Sequence, residues 1–452
     1  MIGEKKLFKR LEKVLASSSA DQTEAVYIGN ESGLTRYANS YIHQNVYENN
    51  RQVFFRAVLG KKVGVASTNS MIPEDLEKTL GDAIEIARQQ PENPHFPGLP
   101  KPAKYKEVDT FDEETAKFTP KDRAKKVKTI IARAGEKGFT VAGALASGQG
   151  EIAVVNSRGL RAYQPVTSAS VNMVIMSDTS SGYAGGTSRH ISQLDFDTMA
   201  ERAVTKCDLA QNPQPMEPGE YEVILEPTAV AEALEWLNYI GFGSKPFVNK
   251  QSFLCEKIDQ RITSDMISIF DNGLDDRSVA MPFDMEGVPK KKVRFIDKGV
   301  AKGVVWDRLS AAKEGGKLKS TGHALTPSES GEGAFGMNIF MAAGKAKRNK
   351  MIEKVKRGIL VTRFHYINGF IDPRNSVLTG MTRDGTFLIE DGEIKHGLKN
   401  LRFTDSMMRA FGTVEALSRE RERIESWWSA VGCMTVPTIH LKSFKFSGKT
   451  EH

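Results

Sequence analysis

The first 210 residues show one pattern of apolar and polar positions twice. Leu7, Leu11, Val14 and Leu15 fall on one helical face, and residues 25 to 68 then alternate in the manner of strands. A helix that starts near Pro73 closes this unit. We therefore predict a helix, a strand-rich stretch and a second helix.

The second copy starts at Thr119, a typical N-cap residue followed by Pro120. Its predicted strands lie around residues 153 to 155 and 168 to 176, and its last helix lies near residues 195 to 210. Five prolines between residues 91 and 102 disfavour regular structure, so residues 91 to 120 are predicted to be a linker between the copies. The pattern favours an internal duplication.

A second boundary is predicted at residues 211 to 219, where three prolines and a glycine occur within nine residues. This divides the chain into a duplicated α/β domain at residues 1–212 and a β-rich domain at residues 219–452. A helix is expected over about residues 228 to 240, and turns at residues 297–299 and 391–392 indicate hairpins. The fold class expected is α+β.

Composition and charge exclude several classes of protein. A chain of 452 residues is long enough for two domains, and the charged fraction of 26% is ordinary for a globular protein. The net charge of +7 is modest and the basic residues alternate with acids, so nucleic-acid binding is not favoured. Three cysteines without CxxC spacing, no apolar signal segment and no stretch that could span a membrane predict a cytoplasmic protein.

Local motifs for catalysis are missing from the sequence. The eight histidines are scattered singly, with no HExxH or HxH pair to indicate zinc. The GxGxxG at Gly331, Gly333 and Gly336 follows a loop rather than a buried strand, and no GxSxG elbow occurs. Cys433 is interpreted as a small core residue rather than a nucleophile. The residues alone indicate a two-domain α+β protein and no chemistry.

Several longer phrases resemble the TldD/PmbA family, whose names refer to microcin maturation and to modulation of DNA gyrase. In the first domain the similar segments are residues 35–45, 64–68 and 155–159. In the second domain they are residues 251–253, 281–289, 320–324, 378–380 and 388–394. The resemblance thus extends over nearly the whole chain.

The resemblance implies a β-barrel-like second domain. It also implies that the chain is one of the family's two types of subunit. In the TldD type, a helix after the first strand of the second domain carries HExxxH, which binds zinc and activates water. The PmbA (TldE) type lacks zinc, and the two types cleave peptides as a heterodimer. In this chain the corresponding window starts at Leu234 and Glu235 and ends at Tyr239, so both histidine positions are lost. Cys433 has no assigned role.

We therefore expect a non-catalytic PmbA/TldE-like subunit with no metal of its own, zinc being carried by a TldD-type partner. A peptide is the expected substrate, and a homodimer is an alternative assembly. The substrate-cleft candidates are Ser252, Phe253, Asp284, Glu286, His323 and His365, of which the first five lie in phrases shared with the family.

Two other functions stay open at this point. A stand-alone metallopeptidase could gather ligands in space from His323, His365 or His440. A binding module for gyrase or nucleic acid is suggested by the family's naming and the slight basic excess. In the nucleic-acid version, binding would show a steep salt dependence, because phosphate contacts produce one.

Overall fold

The structure is a computed structural model and describes residues 1–426 and 432–450. The helices are α1 (Glu4–Leu15), α2 (Pro73–Gln89), α3 (Glu113–Ala116), α4 (Pro120–Gly135), α5 (Phe196–Leu209), α6 (Pro227–Leu237), α7 (Ser244–Val248), α8 (Arg308–Lys313), α9 (Arg348–Ile352) and α10 (Met407–Gly412). A π-helical turn, Asn238–Phe242, continues α6.

The strands of the first domain are β1 (Gln22–Ala38), β2 (Tyr41–Leu59), β3 (Lys62–Thr68), β4 (Thr140–Asn156), β5 (Arg161–Met176) and β6 (Ser181–Ser188). Those of the second are β7 (Gly219–Leu225), β8 (Ile269–Asp271), β9 (Val293–Asp297), β10 (Val300–Ala301), β11 (Asn338–Met341), β12 (Arg357–Asp372), β13 (Val377–Glu390), β14 (Glu393–Gly397), β15 (Leu401–Ser406), β16 (Val414–Glu425) and β17 (Cys433–Lys449).

The first domain is one antiparallel sheet made of two similar halves. Its strand order is β3-β2-β1-β4-β5-β6, so β1 and β4 pair at the centre. Each half has the predicted order of a helix, strands and a helix: α1 and α2 flank β1 to β3, and α4 and α5 flank β4 to β6. The N-cap predicted at Thr119 is confirmed, and it forms a capping box, because its hydroxyl accepts from the N–H of Asp122 and the carboxylate of Asp122 accepts from the N–H of Thr119.

Both halves use a glycine to bring their last helix close to their last strand. A Cβ on Gly64 of β3 would lie 2.1 Å from the carbonyl oxygen of Ala83 in α2. In the same way, a Cβ on Gly182 of β6 would lie 2.1 Å from the carbonyl oxygen of Ala203 in α5. Only glycine permits this approach of helix and strand backbones, so the two halves share a packing device as well as an element order.

The second domain contains a large mixed sheet of 11 strands. Strand β7 is parallel to β12 and antiparallel to β17, and β17 also pairs with β15. Strands β7, β12, β13, β15 and β17 therefore form a partial ring, with α6 packed on β12 and β17. The family resemblance implied a barrel, and the structure shows only this partial ring. The remaining strands extend the sheet away from the ring. The hairpins predicted at residues 297–299 and 391–392 are present.

The segment predicted as a linker binds the two domains together. The Tyr105 hydroxyl donates to the carbonyl oxygen of Gly287 at 2.8 Å, and the Arg308 guanidinium donates to that of Gly98 at 2.8 Å. Phe96 and Leu99 are buried. Short helix α3 lies in the same segment, so the prolines exclude long regular elements here without leaving the segment unpacked.

Across the two described ranges of the chain, every helix is too short or too polar to cross a membrane.

Candidate functional site

A cleft of about 690 Å³ lies between the two domains, and we call it the interdomain cleft. One wall is helix α6, which contributes a stripe with helical spacing: Thr228, Ala231, Glu232, Glu235 and Trp236. Strand β12 and the end of β16 form the second wall, and β5 and β6 of the first domain form the third. The cleft is thus built from both domains.

The π-helical turn after α6 is supported from beneath by two of the sequence candidates. The Ser252 hydroxyl donates to the carbonyl oxygen of Gly241 at 2.8 Å. The ring of Phe253 packs so closely that a Cβ on Gly241 would lie 2.1 Å from its Cε1 atom. Both side chains are buried, so Ser252 and Phe253 shape the turn and do not line the interdomain cleft.

The side chains of the window that corresponds to HExxxH face different parts of the molecule. Leu234 is 0% exposed and belongs to the hydrophobic core, whereas Glu235 lines the interdomain cleft. Tyr239 is 36% exposed and lines a separate, more apolar cleft of about 680 Å³. The Ser426 hydroxyl donates to Glu235 at 2.5 Å, which holds this carboxylate in a structural contact.

A zinc ion does not fit this donor set. Leu234 has no lone pair to donate, and a tyrosine phenol stays protonated near neutral pH, so Glu235 would be the only ligand. Cys433 is buried on β17 with its Sγ 3.4 Å from the hydroxyl of Ser278, and it does not line the cleft. Within residues 1–426 and 432–450, no three histidine, cysteine, aspartate or glutamate side chains are grouped to hold a metal ion.

Glu232 has a strongly perturbed carboxylate at the cleft wall. Burial raises its pKa to about 8, and nearby Arg363 opposes that rise. One carboxylate oxygen accepts from the backbone N–H of Phe364 at 2.6 Å. At neutral pH the group therefore carries a proton in most molecules, and a protonated carboxyl can both donate and accept a hydrogen bond.

Arg363 joins the domains at the floor of the cleft. It forms an ion pair with Asp384 at 2.7 Å and lies over the ring of Tyr183 in the first domain, 4.4 Å from the ring centroid. Burial raises the pKa of Tyr183 to about 12, so its phenol is neutral. The neighbouring candidate His365 lines the cleft, and burial together with Arg383 and Arg363 lowers its pKa. His365 is the one member of the substrate-cleft candidates found in the interdomain cleft.

Asp284 and Glu286 lie in a buried ionic cluster between the domains. Asp284 accepts hydrogen bonds from the backbone N–H groups of Glu286, Val288 and Ala324. Glu286 lies 3.6 Å from Arg56 of the first domain, which also contacts Glu24 at 3.2 Å. Burial raises the pKa of Glu286 to about 8. This cluster connects the domains away from the cleft.

His323 is held in the second domain by two partners. Its Nε2 lies 2.9 Å from Asp271 and its Nδ1 lies 3.0 Å from the hydroxyl of Thr321. The order of carboxylate, imidazole and hydroxyl is that of a catalytic triad, but His323 is 1% exposed and burial lowers its pKa. Asp271 and His323 are both buried, so these hydrogen bonds connect the Thr321 loop to strand β8.

The histidines of the stand-alone hydrolase hypothesis occupy three different places. His323 is buried beside Asp271, and His365 lines the interdomain cleft. His440 is buried on β17 with its Nε2 2.6 Å from Glu222. The fold does not bring them to one metal site.

Sequence reasoning missed Glu232, Arg363 and Tyr183. Glu232 is one helical turn before Glu235 and shares its face, so helical spacing from Glu235 would have found it. Arg363 and Tyr183 come from a strand of each domain, and no local pattern indicates that they meet.

Comparison with known proteins decides the family. Models of a PmbA/TldA metallopeptidase match the chain in three parts: domain 1 over residues 23–87, the central domain over 107–207 and the C-terminal domain over 218–448. The chain belongs to the TldD/PmbA metallopeptidase family. The resemblance noted in the sequence is confirmed.

Sequence relatives in this family are distant. An uncharacterised protein of Methanocaldococcus jannaschii is 26% identical over 60% of this chain and 62% of its own length. A zinc metalloprotease TldD homologue of Saccharolobus solfataricus is 28% identical over 45% of this chain and 44% of its own. The chain thus spans less than two thirds of the length of these relatives.

Solved structures match over almost the full length. The crystal structure of TldE from Thermococcus kodakarensis has 25% sequence identity and a TM-score of 0.88, over 98% of this chain and 99% of that one. A Thermotoga maritima structure described as a modulator of a DNA gyrase has 16% identity and a TM-score of 0.86, over 98% and 100%. The second similarity concerns the fold alone.

Proposed function

We propose that this chain is a non-catalytic, TldE-like subunit of a TldD/PmbA-type zinc peptidase. It pairs with a TldD-type homologue, holds part of a peptide in the interdomain cleft, and leaves hydrolysis to zinc on that homologue. The similarity in fold to TldE over nearly the whole chain supports this proposal. The three free cysteines suit the reducing cytoplasm that we propose as its compartment.

The observation that carries the proposal is the side-chain chemistry of helix α6. Family members of the TldD type are expected to present two imidazoles at the positions of Leu234 and Tyr239. Here the first position belongs to the core and the second opens on a different cleft. Glu235, where a water-activating glutamate would stand, is instead hydrogen-bonded by Ser426.

The interdomain cleft has features that suit an extended peptide. Strand β6 pairs only with β5, and β16 pairs only with β17 among the described strands, and both contribute residues to the cleft. Free strand edges bind peptide backbones by strand addition, which depends little on the peptide's sequence. The neutral carboxyl of Glu232 adds a group that can donate to a peptide carbonyl oxygen.

The test compares this chain alone, a TldD-type homologue alone and their equimolar mixture. Zinc is measured by elemental analysis, and cleavage is measured on an unstructured peptide. We expect no stoichiometric zinc on this chain and faster cleavage by the mixture than by either component. Stoichiometric zinc together with cleavage by this chain alone would instead support the stand-alone hydrolase.

A matched pair of substitutions sharpens the test. Glu235→Gln in this chain is expected to change kcat of the mixture by less than about threefold, because Glu235 has a structural contact and no zinc to serve. The same substitution in the HExxxH glutamate of the homologue is expected to abolish cleavage. Equal losses from both substitutions would contradict a non-catalytic role for this chain.

Assembly is a separate part of the proposal. Size-exclusion chromatography with light scattering distinguishes a heterodimer with the homologue from a homodimer of this chain. We expect the mixture to shift to a heterodimer, whereas a homodimer that persists in the mixture would contradict the pairing.

A further inference from the structure

A second cleft between the domains, of about 670 Å³, is rich in arginine, and we call it the arginine cleft. It lies between helix α5 and strand β6 on one side and strand β16 on the other. Its lining includes five arginines: Arg202, Arg277, Arg419, Arg421 and Arg423. Three carboxylates line it as well, those of Asp195, Asp276 and Glu422. Among the lining residues, five arginines therefore face three carboxylates.

Three of the arginines already have a carboxylate partner. Arg202 pairs with Glu422 at 2.7 Å, which also connects the two domains. Arg277 contacts Asp275 through two hydrogen bonds, of 2.8 and 2.7 Å. Arg419 pairs with Glu420. These charges are balanced within the protein.

Arg421 and Arg423 are different, because no ion pair to either is found within the two described ranges. Both are only partly exposed. The Arg421 guanidinium lies 5.4 Å from the centroid of the Phe340 ring. Burial lowers the pKa of both groups; Arg277 lowers that of Arg421 further, and Asp275, the partner of Arg277, opposes this. A bound anion would offset the cost of holding two cations in this position.

The strand that carries the two arginines suggests what the anion is. Side chains two residues apart on a strand point to the same side and are roughly 7 Å apart at their Cα atoms. An extended peptide presents its alternate side chains with the same spacing. A guanidinium fork matches a carboxylate with two parallel hydrogen bonds, so each arginine suits one acidic side chain.

The arginine cleft also adjoins the interdomain cleft. The backbone of Gly185 and Gly186 in β6 lines both clefts. A Cβ on Gly186 would lie 3.7 Å from the carbonyl oxygen of Arg423, so β6 and β16 approach each other there. A peptide in the interdomain cleft would therefore lie one strand away from the two arginines.

We propose that Arg421 and Arg423 bind two acidic side chains, at alternate positions, of a peptide substrate or of its flanking sequence. This inference deepens the proposed function and rests on it, because the acidic segment belongs to the peptide that the interdomain cleft receives. It assigns a preference for acidic peptides to a subunit that has no hydrolytic chemistry of its own.

The test measures binding to the full chain by fluorescence anisotropy, without any hydrolysis. One fluorescent peptide carries Glu at two alternate positions, and its matched control carries Gln there. We expect the Glu peptide to bind about tenfold or more tightly than the Gln peptide at low salt, with the difference shrinking as salt is added. Equal affinities for the two peptides would overturn the inference and leave the proposed function intact, whereas no binding of either would overturn both.

Substitutions locate the preference. The double variant Arg421→Gln/Arg423→Gln is expected to bind the Glu peptide no more tightly than the Gln peptide. Arg88→Gln, which removes one positive charge from an exposed ion pair on α2, is expected to keep the full preference. A preference that survives in the double variant would overturn the inference, and circular dichroism confirms that each variant is folded. The comparison of the Glu and Gln peptides uses the unaltered chain, so it tests the inference even if the double variant does not fold.

Competition distinguishes peptide carboxylates from small oxyanions. Inorganic phosphate at millimolar concentration is expected to displace the Glu peptide only as far as sodium chloride of equal ionic strength does. Specific displacement by phosphate would overturn the assignment to peptide side chains. Displacement by a non-fluorescent Glu peptide with an amidated C-terminus shows that acidic side chains, rather than the terminal carboxylate, are bound, and failure of that peptide to compete would overturn the proposal.

Discussion

The carboxylate of Glu232 accepts a hydrogen bond of 2.6 Å from the backbone N–H of Phe364, and this contact joins helix α6 to strand β12 at the wall of the interdomain cleft. The acceptor is a group whose pKa burial raises to about 8. The carboxyl is therefore neutral over the lower part of the physiological range and charged above it. The contact makes the stability of the cleft wall depend on pH.

The first prediction concerns this pH dependence. The pKa of Glu232 is higher in the folded chain than its ordinary value of 4.5, so the folded state binds the proton more tightly. The stabilisation is fully present below pH 4.5 and is lost as pH rises through about 8. Relative to Glu232→Gln, the wild type is expected to lose about 1–3 kcal/mol of unfolding free energy between pH 5 and pH 9. Urea denaturation at both pH values measures this loss.

The matched control is Glu77→Gln on the exposed face of α2, which is expected to show no such relative change over the same range. A constant difference between wild type and Glu232→Gln from pH 5 to pH 9 would show that the Glu232 carboxyl titrates normally.

The second prediction concerns Arg56, the cation of the buried cluster between the domains. Arg56→Met leaves the buried carboxylate of Glu24 without its nearest cation, 3.2 Å away, whereas Glu286, whose pKa burial raises to about 8, carries a proton in most molecules at pH 7. We expect a loss of about 3–5 kcal/mol in the free energy of unfolding, because an uncompensated buried charge is costly. Chemical denaturation at pH 7 measures it.

A second-site change tests the reason for that loss. Arg56→Met/Glu24→Gln is expected to regain part of it, because the unpaired charge of Glu24 is gone. Arg88→Met serves as control, since the exposed Arg88–Glu85 pair contributes about 0–1 kcal/mol. A loss in Arg56→Met no larger than that of Arg88→Met would contradict the role of Arg56 in joining the domains.

The third prediction concerns the π-helical turn. Gly241→Ala places a methyl group against the ring of Phe253, and it is expected to destabilise the protein by about 1–3 kcal/mol. Adding Phe253→Leu is expected to cost less than the sum of the two single changes, because the ring edge that causes the clash is removed. Thermal unfolding of the four chains completes this double-mutant cycle.

Gly81→Ala on α2 is the control for the general effect of replacing a helical glycine. No atom lies within 4 Å of the added Cβ there, so this change is expected to raise stability by about 0.5–1 kcal/mol. Strict additivity of Gly241→Ala and Phe253→Leu would show that the two side chains do not conflict.

The fourth prediction concerns Asp271, which accepts from His323 and from the backbone N–H groups of Met337 and Asn338. Burial by itself would raise its pKa, but His323 and these hydrogen bonds hold the pKa below its ordinary value. The resulting stabilisation is present above the unfolded pKa near 3.8 and is lost as pH falls through the lower, folded pKa.

Asp271→Asn is expected to cost about 2–4 kcal/mol at pH 7, because the negative charge is lost and one of the two accepting oxygens becomes an NH2 donor. The cost should shrink as pH falls below 4, where the wild type protonates. Guanidinium denaturation at pH 7 and pH 3 measures both values, and an equal cost at the two would show that Asp271 is not charged in the folded protein.

Much of the fold follows from local signals. The N-cap at Thr119 and the hairpin turns at residues 297–299 and 391–392 are confirmed, because caps and turns act over a few residues. The family resemblance implied a β-barrel-like second domain, whereas five of its strands form only a partial ring. Its closure depends on β17 pairing with both β7 and β15, which no local pattern reports.

The candidate residues, like the fold, were predicted only in part. The sequence located the helix with Leu234, Glu235 and Tyr239, and the shared phrases contained residues that are well packed, such as Phe253 and Asp284. It did not distinguish residues that line a cleft from residues that support one. From the sequence alone, His365 and Asp284 had the same status as cleft candidates. In the structure, His365 lines the cleft and Asp284 is buried between the domains.

By itself, the sequence determined the order of elements, the two halves of the first domain and the lack of imidazole on α6, since each depends on periodicity, turn chemistry or residue identity over short stretches. Only the tertiary structure decided which polar groups meet. The Phe364 N–H reaches Glu232 across 132 residues, and the Ser426 hydroxyl reaches Glu235 across 191. Such contacts arise when separate apolar faces pack together, so the electrostatics of the cleft belong to the folded chain.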